Sequence, residues 1–240
     1  MRGGVTGVTD FFFAGGHNRG MMTHTLDSTV GQIAAETPSS IRVFEKYGID
    51  FCCGGQTGFT EACRSRGLDP EAVLGEIERA GKVPAEDNTN WQAAPLEALI
   101  DHILETHHVY LKTELPRLEA MLQKVMEAHS DAVPPIAEVF EPMKEELDAH
   151  LMKEEMILFP LIRSGRPGAM GPIRVMLAEH DSAGEALARI RSLTMGYTAP
   201  PEACNTWRAL YSGLAEMERD LRRHIHLENN ILFPRALGRV

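Results

Sequence analysis

The strongest constraint on this chain is a segment of eleven residues that occurs twice. The first copy is HLMKEEMILFP, residues 150–160, and the second is HIHLENNILFP, residues 224–234. Both copies place Glu four residues after the first His, and both end on Ile-Leu-Phe-Pro. An acidic residue also precedes each of these His by four positions. Agreement at so many fixed positions indicates an internal repeat.

The spacing of His and Glu within each copy predicts that the two side chains act together. Residues four apart on a helix lie on one face, one turn apart. Each copy therefore directs an imidazole and a carboxylate at the same interior, and we expect Ile157 and Ile231 to continue that face into the core. Imidazole and carboxylate together suit iron or zinc better than calcium or magnesium. The candidate ligands in the two copies are His150, Glu154, His224 and Glu228.

Composition narrows the class of protein. The 240 residues are 43% apolar, enough for one large domain or two small ones with a real core. The net charge of −10 argues against a nucleic-acid partner, and no apolar run is long enough to span a membrane. Four Cys, two of them adjacent, do not suggest a secreted disulfide framework. With ten His and twelve Met, the chain is predicted to be a cytoplasmic, reduced, metal-handling protein.

The chain divides into four predicted regions. Residues 1–21 are Gly-rich and are expected to form a disordered extension. Residues 22–82 predict a small helical domain that carries the adjacent Cys, and the polar, Pro-containing stretch 83–94 predicts a linker. Residues 95–240 predict a four-helix bundle. No stretch shows strand alternation, so the predicted fold class is all-α.

Caps and breakers set the expected helix boundaries. In the small domain, Ser28 or Thr29 can cap the first helix, Gly48 can end the second, and Asp69 can cap the last. Pro116 is expected to bend the first bundle helix. The short connections predict an antiparallel up-down bundle, which would place a metal site among side chains of facing helices. The four bundle helices are predicted at about 95–129, 134–163, 172–195 and 201–236.

A site with two metal ions also needs ligands from the first and third bundle helices. The third offers only His180, 44 residues before His224. On the first helix, His108 lies 42 residues before His150 and shares the apolar stripe, whereas His107 points about 100° away. We therefore predict His108 and His180 as ligands, with His107 as the nearest rival to His108. The other histidines, which fit the half-repeat badly or lie outside the frame, are His102, His129 and His226.

Here the residues carry a resemblance. The bundle resembles the hemerythrin-like superfamily. About nine tenths of the chain is similar to the RIC (repair of iron centres) family of di-iron iron–sulfur cluster repair proteins, through VFEKYGIDFCCGG in the small domain and the two repeated segments. Only the N-terminal extension lies outside the resemblance. It implies two non-haem iron ions held by His108, His150, Glu154, His180, His224 and Glu228.

This ligand set leaves coordination positions open for a small ligand. Two six-coordinate irons have about twelve positions. Four His, two bridging carboxylates and an oxo or hydroxo bridge would leave about two positions for a small ligand such as nitric oxide or oxygen. By comparison with oxygen-carrying hemerythrins, the set is one His short, which favours a more open site. Glu146 and Asp220, one turn before His150 and His224, could orient imidazoles or pass protons, or could be plain surface acids.

The adjacent thiols Cys52 and Cys53 lie in a predicted loop followed by two Gly. Adjacent Cys rarely bond to each other because the ring is strained. A helix that starts near Thr57 or Thr60 would favour thiolate, which binds soft metals and reacts with nitric oxide or peroxide. The alternative is that the pair is two buried apolar residues. The resemblance implies that this pair is part of a functional signature in the RIC family.

The resemblance implies that the protein restores iron–sulfur clusters damaged by nitric oxide or oxidants, by delivering iron to the damaged proteins. Two alternatives stay open at this point. One is a nitric oxide reductase that makes nitrous oxide, so whether the chain is an enzyme is undecided. The other is a hemerythrin-like binder or sensor of oxygen or nitric oxide, although a carrier has no evident need for a Cys-Cys domain. A homodimer is also compatible with the sequence.

Overall fold

The computed structural model describes residues 26–81, 89–129 and 133–238. Secondary structure in these ranges is helical, apart from one isolated bridge between Thr29 and Gly58, so the predicted all-α class is confirmed. Within the same ranges, no helix is long and apolar enough to cross a membrane. The predicted extension, residues 1–21, and residues 83–88 of the predicted linker lie outside the described residues.

The small N-terminal region contains four short helices whose caps follow the sequence. Thr29 forms a reciprocal capping box with Gln32, and the Asp69 carboxylate accepts from the backbone N–H of Glu71. Gly48 ends the second helix with φ +65°, a conformation that glycine adopts without steric cost. The helices are α1 (Val30–Glu36), α2 (Ser40–Tyr47), α3 (Phe59–Arg64) and α4 (Pro70–Ala80).

The bundle has four long helical runs, three of which are interrupted by a short π-helical segment. The helices pack as an antiparallel set, in which α6 contacts α7 and α10, and α9 contacts the same two. The first run is α5 (Leu96–His102), π1 (Ile103–His108) and α6 (Val109–His129). The second is α7 (Ala137–Lys153), π2 (Glu154–Leu158) and α8 (Phe159–Arg163). The third is α9 (Met170–Leu193), and the fourth is α10 (Asn205–Leu227), π3 (Glu228–Leu232) and α11 (Phe233–Ala236).

The π segments are the main departure from the predicted helices. Each contains a predicted ligand: His108 in π1, Glu154 in π2 and Glu228 in π3. Such segments insert extra residues into a helix and are common at functional sites. The insertion rotates the residues beyond it about the helix axis, so Ile157 does not continue the interior face and is 56% exposed. Ile231, its counterpart in the repeat, is buried because α1 packs against π3.

Two apolar clusters sandwich the layer of predicted ligands. One fills the end of the bundle around Leu115, Leu187 and Leu221 and runs without a break into the small N-terminal region. The other fills the opposite end, around Ile100 and Phe233. The His and Glu side chains therefore lie in the middle of a dry core rather than at a helix end.

The small N-terminal region is docked on the fourth bundle helix. The side-chain amide of Asn230 donates to the carbonyls of Phe51 and Cys52, both at 3.2 Å. The same side chain lies in a notch between Gly31 and Gly55, where an added Cβ would come within 2.3 Å of the amide oxygen. Two glycines are therefore needed for this close approach.

The second half of the predicted linker also contacts the bundle. The Arg235 guanidinium donates to the carbonyls of Trp91 and Ala94, both at 2.6 Å, and the Trp91 ring stacks on His102 with centroids 4.5 Å apart. Residues 89–94 are thus anchored to the bundle rather than free to swing.

Candidate metal centre

The six predicted ligands come together in the bundle core. They form two overlapping groups in which all potential ligand atoms lie within 4.8 Å of one another. Every member is buried, and both Glu belong to both groups. The first group is His108, Glu154, His224 and Glu228, and the second is His150, Glu154, His180 and Glu228.

Each carboxylate lies between two imidazoles, one from each group. Glu154 places Oε2 3.4 Å from Nε2 of His108 and Oε1 3.3 Å from Nε2 of His150. Glu228 repeats the arrangement, with Oε1 3.3 Å from Nε2 of His224 and Oε2 3.1 Å from Nε2 of His180. A carboxylate whose two oxygens face two different groups has the arrangement of a bridging ligand.

Within the described part of the chain, the inward-facing atoms of this cluster have no ordinary hydrogen-bond partners. Both carboxylate oxygens of Glu154 and Glu228 are buried without a hydrogen bond, as are Nε2 of His108 and both ring nitrogens of His224. In the other group, Nε2 of His150 and Nε2 of His180 face each other at 3.1 Å. Burying polar groups without partners costs several kcal/mol each, and a cation between them removes that cost. The donor set therefore fits a metal of the iron or zinc type.

The electrostatics of the cluster also favour a bound cation. Burial lowers the pKa of His150, but the carboxylates of Glu154 and Glu228 outweigh burial and raise it to about 9. Burial raises the pKa of Glu228, yet His224 and His180 together hold it well below its usual range. The Glu228 carboxylate thus stays ionised in an apolar core and attracts positive charge. A proton on an imidazole or a metal ion supplies that charge.

Outer hydrogen bonds hold three of the four imidazoles. Nδ1 of His108 lies 2.8 Å from Glu155, Nδ1 of His150 lies 2.8 Å from Glu179, and Nδ1 of His180 lies 2.7 Å from Asn229. Lysines complete two of these contacts, Lys112 with Glu155 and Lys153 with Glu179. Partners of this kind fix the orientation of a metal-binding imidazole. The sequence did not identify these partners. Each lies on a different helix from its imidazole, or at a position of the repeat that the motif does not share.

The two acids for which the sequence left two roles open, Glu146 and Asp220, have different surroundings. Glu146 is exposed and accepts a hydrogen bond from Ser182 at 3.0 Å, while Glu179 takes the place expected for Glu146 beside His150. The Asp220 carboxylate pairs with Nδ1 of His107 at 2.9 Å and not with His224. Glu146 thus matches the surface alternative, and Asp220 orients an imidazole, that of His107 rather than that of His224.

His107, the rival to His108, is buried outside both groups. Its ring stacks parallel to that of His224 with centroids 5.4 Å apart, while its Nδ1 is paired with Asp220. It lines a cavity of about 460 Å³ together with Trp91, His102 and Asp220. The geometry therefore separates His108, inside the cluster, from His107, behind it.

The adjacent thiols lie against the bundle helix that carries His180. The Cys53 thiol donates to the backbone carbonyl of His180, with Sγ 3.3 Å from the oxygen. Gly184, one turn after His180, makes room for it, because a Cβ there would be 3.3 Å from the Cys53 sulfur. Neither thiol belongs to the two groups of potential ligands. The loop thus reaches the helix that carries a predicted ligand without entering the cluster.

The expected thiolate character does not hold for Cys52. Helix α3 begins at Phe59, between the two expected starts. A hydrogen bond with Cys53, burial and the nearby Asp50 carboxylate raise the pKa of the Cys52 thiol well above its ordinary value, despite Arg222. At neutral pH, Cys52 is therefore a thiol, and its Sγ donates to Asp50 at 3.1 Å.

Comparison with known proteins identifies both regions. Residues 26–81 match the ScdA_N domain of unknown function (DUF542), and residues 99–236 match the hemerythrin HHE cation binding domain. The iron-sulfur cluster repair protein YtfE of Citrobacter koseri is 44% identical over 216 residues, which cover 88% of this chain and 97% of the relative. The proteins of the same name from Escherichia coli O157:H7 and Shigella boydii are 43% identical over the same shares. The resemblance seen in the sequence is confirmed, and the chain belongs to the family of the YtfE iron-sulfur cluster repair proteins, with a hemerythrin HHE cation binding domain.

Proposed function

We propose that this chain is a di-iron protein that restores iron–sulfur clusters damaged by nitric oxide or oxidants, by delivering iron to the damaged protein. The observation that carries the proposal is the pair of buried groups that share Glu154 and Glu228, whose inward atoms lack hydrogen-bond partners among the described residues. The names of the relatives support the repair role. Four free cysteines among the described residues support a reducing compartment, the cytoplasm.

The residues of the chain would divide the work at the site. Four imidazoles and two bridging carboxylates would hold two iron ions, with an oxo or hydroxo bridge, and the bound irons supply redox chemistry and sites for small ligands such as nitric oxide or oxygen. Glu155, Glu179 and Asn229 orient three of the imidazoles by accepting from Nδ1. His224 has no outer hydrogen bond to any described residue, so its ring is the least constrained of the four.

The docked thiol loop supports a joint action of the two regions. Cys53 touches the backbone of His180, and Asn230, two residues after Glu228, holds the loop by its carbonyls. A change at the metal centre that moves either helix therefore also moves the loop that carries the thiols. We propose that Cys52 and Cys53 assist the transfer of iron, electrons or nitric oxide without binding the resting metals.

Transfer of iron to a purified client tests the proposal. The iron-loaded protein is mixed with a ferredoxin whose cluster has been removed, together with sulfide and a thiol reductant. We expect the client's absorbance to return while iron leaves the chain in matching amount. Full retention of iron by the chain, with no recovery of the client, would contradict repair by iron delivery.

A nitric oxide reductase is the second candidate, and the position of the thiols favours it. The Cys53 sulfur lies 3.3 Å from a backbone atom of His180, close enough for the pair to serve as an electron entry point. Nitrous oxide formed per electron supplied to the iron-loaded protein separates this activity from repair. A yield near one nitrous oxide per two electrons would establish the reductase, and none would exclude it.

A further inference from the structure

Exposed apolar side chains are concentrated on the bundle surface directly outside the metal centre. The described residues include ten large apolar side chains with high exposure, and half of them lie here, on three adjacent bundle helices. Isolated exposed apolar residues are ordinary, but a concentration of them marks an interaction site. We call this surface the outer face, and its members are Val109, Met152, Met156, Ile157 and Val175.

Two ion pairs join the three helices that carry the outer face. Glu155, between Met152 and Met156 in the chain, pairs with Lys112, which lies one turn after Val109. Glu179, one turn after Val175, pairs with Lys153 on the second bundle helix. The apolar side chains therefore lie close in sequence to two polar contacts that hold the three helices together.

Only one side chain separates this surface from the predicted ligands. The carboxylates of Glu155 and Glu179 are 27% and 31% exposed, and each accepts from an imidazole at 2.8 Å, Glu155 from His108 and Glu179 from His150. A partner seated on the outer face would touch the groups that hold those two imidazoles.

The internal repeat shows that the equivalent face on the fourth bundle helix is a docking surface. Met152, Met156 and Ile157 stand at the positions that His226, Asn230 and Ile231 hold in the second copy. There the small N-terminal region covers the helix, and His226 and Ile231 are each only 2% exposed. On the second bundle helix, Met152 and Met156 are 64% and 73% exposed. The repeat thus builds two equivalent faces beside one metal centre, and the chain covers one of them.

A second small N-terminal region does not fit the outer face. Docking on the fourth helix needs the amide of Asn230, which donates to two carbonyls and enters the notch between Gly31 and Gly55. Met156, at the equivalent position, has no donor and a longer side chain. Five apolar side chains also fall well short of the roughly 800 Å² per partner of a standard stable interface, which argues against a permanent dimer.

We propose that the outer face is the docking surface for the iron–sulfur protein under repair, an inference that rests on the proposed function. The contact is transient because the face is small. Methionine is unbranched and polarisable, so a Met-rich surface adapts to partners of different shape, as a repair protein with several clients requires. The partner's complementary surface is an apolar rim around its Cys-lined cluster site, since that site must approach the metal centre.

The test compares two pairs of methionines in the full-length, iron-loaded protein. Met152→Gln with Met156→Gln removes apolar surface from the outer face without adding charge. The control, Met126→Gln with Met195→Gln, changes two exposed methionines, one on α6 and one just after the end of α9, that lie roughly 20–27 Å from His108 and His180 by the helical rise. The client is a ferredoxin freed of its cluster, and the readouts are its half-saturating concentration in repair and its affinity measured by fluorescence anisotropy.

We expect the outer-face variant to need about 10-fold more client, with iron content, visible spectrum and iron loss to a small chelator unchanged, and the control to match the unmodified chain. Equal client affinity in all three proteins would overturn the outer face while leaving repair intact. A dimer of the unmodified chain that the outer-face variant dissociates would overturn it in favour of a second copy. Absence of client repair by the unmodified chain would overturn the proposed function itself, and the inference with it.

Discussion

The second and fourth bundle helices carry the same motif with different surroundings. Both direct His and Glu inward, and in both the Glu lies in a π segment and faces two imidazoles. Their outward positions differ: Glu155 and Met156 in one, Asn229 and Asn230 in the other. The shared residues are those the metal requires, and the differing residues decide what lies against each helix.

The difference also extends toward the N-terminal end of each helix. Lys144 pairs with Asp148 on the second helix, whereas the equivalent positions on the fourth are Glu218 and Arg222, with the charges reversed. Arg222 lies beside the docked loop, with a guanidinium nitrogen 3.7 Å from the Cys52 sulfur. The fourth helix is thus adapted to hold the thiol loop, and the second helix is left open.

The largest expected effect comes from removing either shared carboxylate. Glu154→Gln and Glu228→Gln should each abolish binding of both irons, because each carboxylate belongs to both groups. Their outward neighbours give the matched controls: Glu155→Ala and Asn229→Ala each remove the outer hydrogen bond of an imidazole, the first together with the Lys112 ion pair, and should weaken metal binding by about 10- to 100-fold. Iron per chain, measured by elemental analysis, checks both. Retention of one full iron in the Glu228 variant would contradict the bridging assignment.

A second prediction separates two adjacent histidines. His108→Ala should lose iron, because its Nε2 lies 3.4 Å from Glu154 inside the cluster. His107→Ala should keep it, since His107 is paired with Asp220 behind the cluster. Iron content and the visible spectrum of the two variants give the answer. The opposite pattern would make His107 the ligand and break the equivalence of the two halves.

A third prediction exchanges the outward residues of the two helices. Asn230→Met should destabilise the docked small region by about 2 kcal/mol, because the carbonyls of Phe51 and Cys52 lose their donor and the longer side chain does not fit the glycine notch. Met156→Asn should change the free energy of unfolding by less than about 0.5 kcal/mol, because Met156 is exposed. Hydrogen exchange of residues 26–81 and denaturant unfolding report the two effects. Equal effects in both variants would contradict the difference between the helices.

The smallest effect on the metal centre is expected from the thiols. Replacing Cys52 and Cys53 together by Ala should leave iron content and absorbance unchanged, because neither thiol belongs to the ligand groups. Repair of the client should nevertheless fall several-fold if the thiols assist transfer. Iron stoichiometry and client recovery are measured on the same sample. Loss of iron would make the thiols ligands, and full repair would make them inert packing residues.

Sequence patterns anticipated the parts of the molecule that depend on regular spacing. The all-α class, the caps at Thr29 and Asp69, and the glycine end at Gly48 follow from local rules and agree with the structure. The repeated segments singled out four of the six residues that the structure brings together, and the half-repeat spacing added His108 and His180. These features depend on positions within one helix or on a motif read twice.

Other features depend on contacts that a single sequence does not display. No Gly or Pro lies within the π segments to signal the insertion, so the exposure of Ile157 was predicted wrongly. Glu179 reaches His150 from the next helix, and no spacing rule links them. The docking of the thiol loop rests on Gly31 and Gly55 as a notch for Asn230, which becomes visible only once the helices are assembled.

The most direct test of the central claim is the metal content of the purified full-length protein, measured together with its visible absorbance. Two buried groups that share both carboxylates predict two irons per chain and the absorbance of an oxo-bridged pair. One zinc per chain without that absorbance would contradict the account, because a single ion would leave half of the buried nitrogens and oxygens without a partner.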